Sequence, residues 1–142
     1  LYKIAESCVQ MLSVNAASHD VKILLNGSSQ MVYANKQMME ELVYNLCDNA
    51  IRYNRQNGTV EVNIYRGKRG VVLAVKDTGI GIPKEHQERI FERFYRGDKG
   101  RSRQLGGTGL GLSIVKHAVQ YHNGKVSLDS EVGKGTTITV TF

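Results

Sequence analysis

The 142 residues are 41% hydrophobic and 23% charged with a net charge of +6, the balance of one globular domain with enough chain to bury a core. No apolar run approaches the roughly 18 residues of a membrane-spanning helix, and no signal-peptide pattern opens the chain. The positive charge forms no stripe interleaved with aromatics, which argues against nucleic acid as a partner.

Leu1 falls in mid-pattern, so a piece of a longer protein is expected, with any membrane segment or targeting signal outside it. Ala5, Cys8, Val9 and Leu12 have helical spacing between Ile4 and Val14. Asp20 to Leu25 and Gln30 to Ala34 read as two strands around an Asn26-Gly27 hairpin turn. Asn35 is placed to cap a helix running to about Tyr53. Its apolar positions, Met39, Leu42, Val43, Leu46, Cys47, Ala50 and Ile51, make the clearest helical stripe in the chain. Asn57-Gly58 stops it. Val60, Val62 and Ile64 then alternate with polar residues as a half-buried strand, and Val71 to Val75 reads as a central strand. Pro83 is placed to open a short helix with Ile90, Phe91 and Phe94 on its apolar side. Gly97 to Gly107 is polar, basic and unpatterned, a length that suits a functional lid. A helix follows from Leu110 and stops at Gly124. Val126 to Leu128 and Thr136 to Phe142 close the chain as strands. Strands and helices do not alternate strictly, so a mixed or antiparallel sheet with helices on one face fits better than a doubly wound fold.

Cys8 and Cys47 both fall on apolar helical faces and read as reduced core cysteines. His19, His86, His117 and His122 show no zinc spacing. On the long helix, Glu41, Asn45 and Asn49 recur every four residues. Asparagine is a poor interior helix former, and its oxygen suits a hard cation such as Mg²⁺; a plain solvated face accounts for the stripe equally well. Asp77 ends an apolar strand and opens Asp77-Thr78-Gly79-Ile80-Gly81-Ile82. Its carboxylate could accept from an exocyclic amine such as that of adenine, although alone the segment is an ordinary turn. The second glycine segment, Gly106-Gly107-Thr108-Gly109-Leu110-Gly111-Leu112, runs straight into a helix, which makes an anion site. It matches neither the Rossmann fingerprint nor the P-loop. A basic stretch with Arg96, Lys99, Arg101 and Arg103 precedes it and suits polyphosphate.

Together these segments resemble the sensor histidine kinases. Glu41-Leu42-Val43-Tyr44-Asn45-Leu46-Cys47-Asp48-Asn49-Ala50-Ile51-Arg52-Tyr53 is similar to their N box, Asp77 to Ile82 to the G1 box, Ile90-Phe91-Glu92-Arg93-Phe94-Tyr95-Arg96 to the F box, and Gly106 to Lys116 to the G2 box. The resemblance covers Glu41 to Lys116, and the flanks match the expected elements. It implies an α+β Bergerat fold over residues 1–142: a two-layer sandwich with a mixed, mostly antiparallel sheet of about five strands and three main helices on one face.

It also implies roles. Asn45 would hold Mg²⁺, with Asn49 nearby on the phosphates or metal. Asp77 would bind the adenine amino group of ATP, with Gly79 and Gly81 shaping the base pocket. Arg52 and Tyr53 would lie near phosphates and base. Arg96 would approach the γ-phosphate, Lys99 would belong to a lid over residues 97–106, and the backbone of Gly107, Thr108, Gly109, Leu110 and Gly111 would line the phosphates. The implied reaction is transfer of the γ-phosphoryl group to a histidine, with a dimerisation domain and a response regulator as partners. The domain would be cytoplasmic and the full-length protein anchored in the bacterial membrane. Two departures stand out. Arg52 replaces a frequent lysine, and no histidine carries the acceptor pattern, since the only proline is Pro83. A related ATP-driven conformational ATPase using Glu41 as base, and a non-enzymatic nucleotide-binding module, are the alternative readings.

Overall fold

The computed structural model describes residues 1–95 and 110–142. Helix α1 (Tyr2–Ser18) turns Ala5, Cys8, Leu12 and Ala16 inward. Strand β1 (Val21–Gly27) follows. Asn35 accepts the Met38 N–H on its Oδ1 at 3.0 Å and caps α2 (Lys36–Arg52), satisfying one of the donors a helix start leaves open. Strands β2 (Gly58–Gly67) and β3 (Gly70–Asp77) form a hairpin. A single turn, α3 (Lys84–Gln87), comes next. Helix α4 (Gly111–Tyr121) leads to β4 (Lys125–Glu131) and β5 (Gly135–Thr141).

The five strands lie in the order β1-β2-β3-β5-β4. β1 is parallel to β2 and the other pairs are antiparallel. A parallel pair needs a crossover, and α2 supplies it. The strands alternate in burial. Val60, Val62 and Ile64 of β2, Val71, Leu73 and Val75 of β3, and Ile138 and Val140 of β5 face one contiguous core with the stripes of α1, α2 and α4. The expected sandwich, with three main helices on one face of a five-stranded mixed sheet, is the architecture found. Both cysteines are buried and unbridged, as expected.

The expected hairpin at Asn26-Gly27 does not form. β1 runs through Gly27, which pairs in register with Ile64 of β2. A Cβ at Gly27 would lie 1.9 Å from the Ile64 carbonyl oxygen, so this glycine serves close backbone approach. The Asn26 amide donates across to Asn63 Oδ1 at 3.1 Å. Alternation in 31–34 is real, because Val32 and Ala34 pack on the core while Met31 and Tyr33 are 85% and 105% exposed. Periodicity reports faces, however, and no strand pairs with this segment among the described residues. The helix expected after Pro83 is also shorter. It gives way beyond Gln87 to turns closed by Arg89 N–H to His86 O, Glu92 N–H to Arg89 O and Tyr95 N–H to Glu92 O. Phe91 packs on the core, whereas Phe94 is 67% exposed with φ +63°.

Leu42 is fully buried and Met31 is not. Leu42→Ala should therefore cost about 2–5 kcal/mol in chemical denaturation, while Met31→Ala should stay within about 0.5 kcal/mol of the parent.

Candidate nucleotide site

Asp77 closes β3, between Val60 of β2 and Thr136 of β5. Its Oδ1 accepts the Gly79 N–H at 2.8 Å and the Thr136 N–H at 3.2 Å. Among the described residues its Oδ2 accepts nothing. Burial pushes the carboxyl up to about 6, outweighing the two N–H groups that favour the anion. A partly desolvated carboxylate with one open oxygen is a strong acceptor waiting for a donor.

The loop after Asp77 is held on two sides. The Ile80 N–H donates to the Tyr53 carbonyl at 3.1 Å, and a Cβ at Gly79 would lie 2.3 Å from that same oxygen. Gly81 has φ +73° and would bring a Cβ within 2.1 Å of the Glu131 carbonyl. The Ile82 N–H donates to Ser130 Oγ at 2.8 Å, and the Gly133 N–H to the Ile80 carbonyl at 2.9 Å. Both glycines thus allow close backbone contacts that fix where the loop lies.

A polar hub that sequence reasoning missed supports this loop. Asn54 Nδ2 donates to the Thr59 carbonyl at 3.0 Å, and Asn54 Oδ1 accepts from Thr78 Oγ1 at 3.3 Å. Thr78 Oγ1 accepts the Thr59 N–H at 2.9 Å, and Arg55 Nε donates to the Thr78 carbonyl at 2.6 Å. The register Val60 opposite Asp77 brings these residues together. Asn54, directly after the helix stripe, is the one sequence signal that could have marked them.

On α2, Asn45 Nδ2 donates to the Glu41 carbonyl at 2.7 Å. That leaves Asn45 Oδ1 facing the first residue of α4, where a Cβ on Gly111 would approach it to 3.1 Å. The oxygen therefore sits beside the positive end of a helix dipole. Asn49 lies one turn further on and is half-buried. Arg52 Nε donates to Asp48 Oδ2 at 2.8 Å, so part of its guanidinium charge is held by that carboxylate. Asp48 Oδ1 is buried with no hydrogen-bond partner among the described residues. Glu41 is exposed and takes the Gln37 amide at 3.3 Å. Leu110 precedes α4, and its carbonyl accepts from Ser113 Oγ at 2.7 Å and the Ile114 N–H at 3.1 Å.

Before residue 96 the chain is organised around Tyr95. Its hydroxyl bonds to His86 Nδ1, and Arg89 lies 4.5 Å above its ring while also bonding Glu92. Arg96, Lys99, Gly107, Thr108 and Gly109, with the lid at 97–106, lie outside the described residues. Among the described residues no three His, Cys, Asp or Glu side chains converge on a metal position. A hard cation at Asn45 would therefore draw most of its oxygens from water and ligand. The donor set fits that, because the amide nitrogen is already engaged and the oxygen is left open.

The family model of histidine kinase-, DNA gyrase B- and HSP90-like ATPases matches residues 34–142. The chain is 44% identical over 142 residues to the sensor-like histidine kinase SenX3 of Mycolicibacterium smegmatis, covering 98% of this chain and 36% of that protein. It spans between 18% and 36% of the length of such curated relatives. The solved mycobacterial sensor histidine kinase MprB superposes with a TM-score of 0.83 at 26% identity, covering 97% of this chain and 90% of that one. Full-length ShkA, solved in complex with AMPPNP, superposes with a TM-score of 0.84 at 25% identity, covering 98% of this chain and 29% of that one. The chain belongs to the histidine kinase-, DNA gyrase B- and HSP90-like ATPase family, in which it is an ATP-binding catalytic domain of the sensor histidine kinase type.

Proposed function

We propose that this domain binds ATP with Mg²⁺ and delivers the γ-phosphoryl group to a histidine on a separate dimerisation domain, from which a response regulator is served. The observation that carries the reading is the open Oδ2 of Asp77, a half-desolvated acceptor at the end of β3. It suits the exocyclic amine of adenine. Asn45 lies eight residues before Tyr53 on α2, about 12 Å at 1.5 Å per residue. A nucleoside triphosphate can bridge that span with its base at the loop and its phosphates at the start of α4. Asn45 Oδ1 would hold Mg²⁺, with Asn49 beside it and Arg52 and Tyr53 flanking the ligand. Mg²⁺ bound there would neutralise phosphate oxygens as charge moves in phosphoryl transfer. The N–H groups at the start of α4 stabilise the same oxygens, and Arg96 would add its charge at the γ-phosphate. The relatives' sensor role supports a membrane-anchored full-length protein with this domain on the cytoplasmic side. The direct test is transfer of labelled phosphate from ATP to an added dimerisation domain. ATP binding without transfer to its histidine would overturn the kinase reading.

Asp77→Asn should weaken ATP binding roughly tenfold to a hundredfold, the worth of a charge-assisted hydrogen bond. The parent's affinity should fall below about pH 6, where the carboxyl takes up its proton, by up to about tenfold per pH unit. Subtracting the Asp77→Asn profile removes the titration of ATP itself. Folding stability should respond oppositely. The folded pKa is raised to about 6 from 3.8, so the folded state holds the proton more tightly and this group's contribution falls as pH rises through that window. Titrating denaturation midpoints of both proteins between pH 4 and 7 reads it.

Asn45→Ala should remove most of the Mg²⁺ dependence of nucleotide affinity, measured with a fluorescent ATP analogue in the presence and absence of the metal. An unchanged dependence would count against Asn45 as the ligand.

A further inference from the structure

The sheet face opposite the helices carries a second concavity, far from Asp77. It encloses about 380 Å³ and is lined by Arg69, Asn123, Lys125, Ser127, Thr139 and Thr141, among others. Register explains the convergence. Lys125 lies opposite Thr141 and Ser127 opposite Thr139, and residues two apart on a strand share a face. Arg69 comes from the β2–β3 turn and Asn123 from the end of α4, where it adopts φ +55°. No Asp or Glu side chain lines the concavity itself; Asp129 and Glu131 follow Ser127 on the same exposed face of β4, further along the strand. None of these six side chains makes a hydrogen bond or ion pair among the described residues. The group is rich in donors, carries two cations, and has no internal partner.

Asp77 pairs with Thr136, and Thr141 closes the same strand five residues later, about 17 Å away at strand rise. The concavity is therefore separate from the nucleotide site. It also borders β4, the last strand of the sheet, whose outer side pairs with no described strand. Gln87 Nε2 donates to the Ser130 carbonyl at 3.1 Å near the far end of β4, and the stretch before it, at Lys125 and Ser127, can accept an added strand. Single exposed ion pairs hold a ligand weakly and are screened by salt, so a small free anion gains little here. Two carboxylates on one extended segment add their effects at Arg69 and Lys125 while its backbone follows the Lys125 end of β4, short of Asp129.

We propose that this face docks an acidic, extended segment of a partner protein, with carboxylates at Arg69 and Lys125 and the segment running beside β4. The test is fluorescence anisotropy with a labelled peptide of alternating glutamate and valine, against a glutamine-and-valine control. The chain should prefer the glutamate peptide. Arg69→Glu combined with Lys125→Glu should weaken binding by about tenfold or more, whereas Lys3→Glu combined with Lys36→Glu, an equal charge change elsewhere, should change it by less than about twofold. Saturating ATP and millimolar inorganic phosphate should not displace the peptide. Should the charge-reversed protein fail to fold, Arg69→Gln with Lys125→Gln reads the same loss. Equal losses in the two double variants would overturn the proposal. So would displacement by ATP, displacement by phosphate, equal binding of the glutamine peptide, or no binding at all.

Discussion

The Tyr53 carbonyl accepts the Ile80 N–H at 3.1 Å, and it can do so because residue 79 has no side chain to stand in the way. This backbone contact joins the end of α2 to the loop after β3. One of those elements carries Asn45 and the other begins at Asp77. The remaining ties act on the same junction. The Asn54–Thr59–Thr78 network braces it from β2, and Ser130 and Gly133 brace it from the β4–β5 turn. Together with the core beneath them, these ties fix the two halves of the candidate site relative to each other.

That junction rests in turn on a one-sided core. α2 buries seven side chains against the sheet and its neighbouring helices, which leaves Glu41, Asn45 and Asn49 on the rim. Cores of this density resist small displacements, so polar residues at the rim inherit the precision of the apolar stripe beside them. The raised pKa of Asp77 reflects the same arrangement. Its carboxyl is held at the edge of the core by backbone N–H groups, and desolvation there makes the open oxygen a better acceptor for a bound donor.

The opposite face of the sheet obeys different rules. No helix covers it among the described residues, and its side chains are mostly polar. Lys125, Ser127, Thr139 and Thr141 converge there through strand register. The two faces differ in kind: one builds a core and aligns the candidate nucleotide site, and the other leaves the donor-rich concavity open for the proposed partner.

The apolar period of α2 and the Asn35 cap were legible in the sequence because both follow from local geometry. So were the alternation of β2, the termination of β3 at Asp77 and the burial of both cysteines. Family boxes added what spacing alone left open about the stripe and the turn. Other features depended on which strand met which. Gly27 looked like a turn residue, yet its lack of a side chain serves the approach of Ile64 in a neighbouring parallel strand. Segment 31–34 alternated like a strand without a strand to pair with. Asn54, Thr59 and Thr78 came together only through the β2–β3 register, and Arg69 met Lys125 only across the sheet. Periodicity and capping are encoded within a few residues of chain. Pairing partners, close approaches and polar networks join distant residues, so the sequence by itself determined the main helices, most strands and the candidate site residues, and the tertiary structure decided how the elements meet.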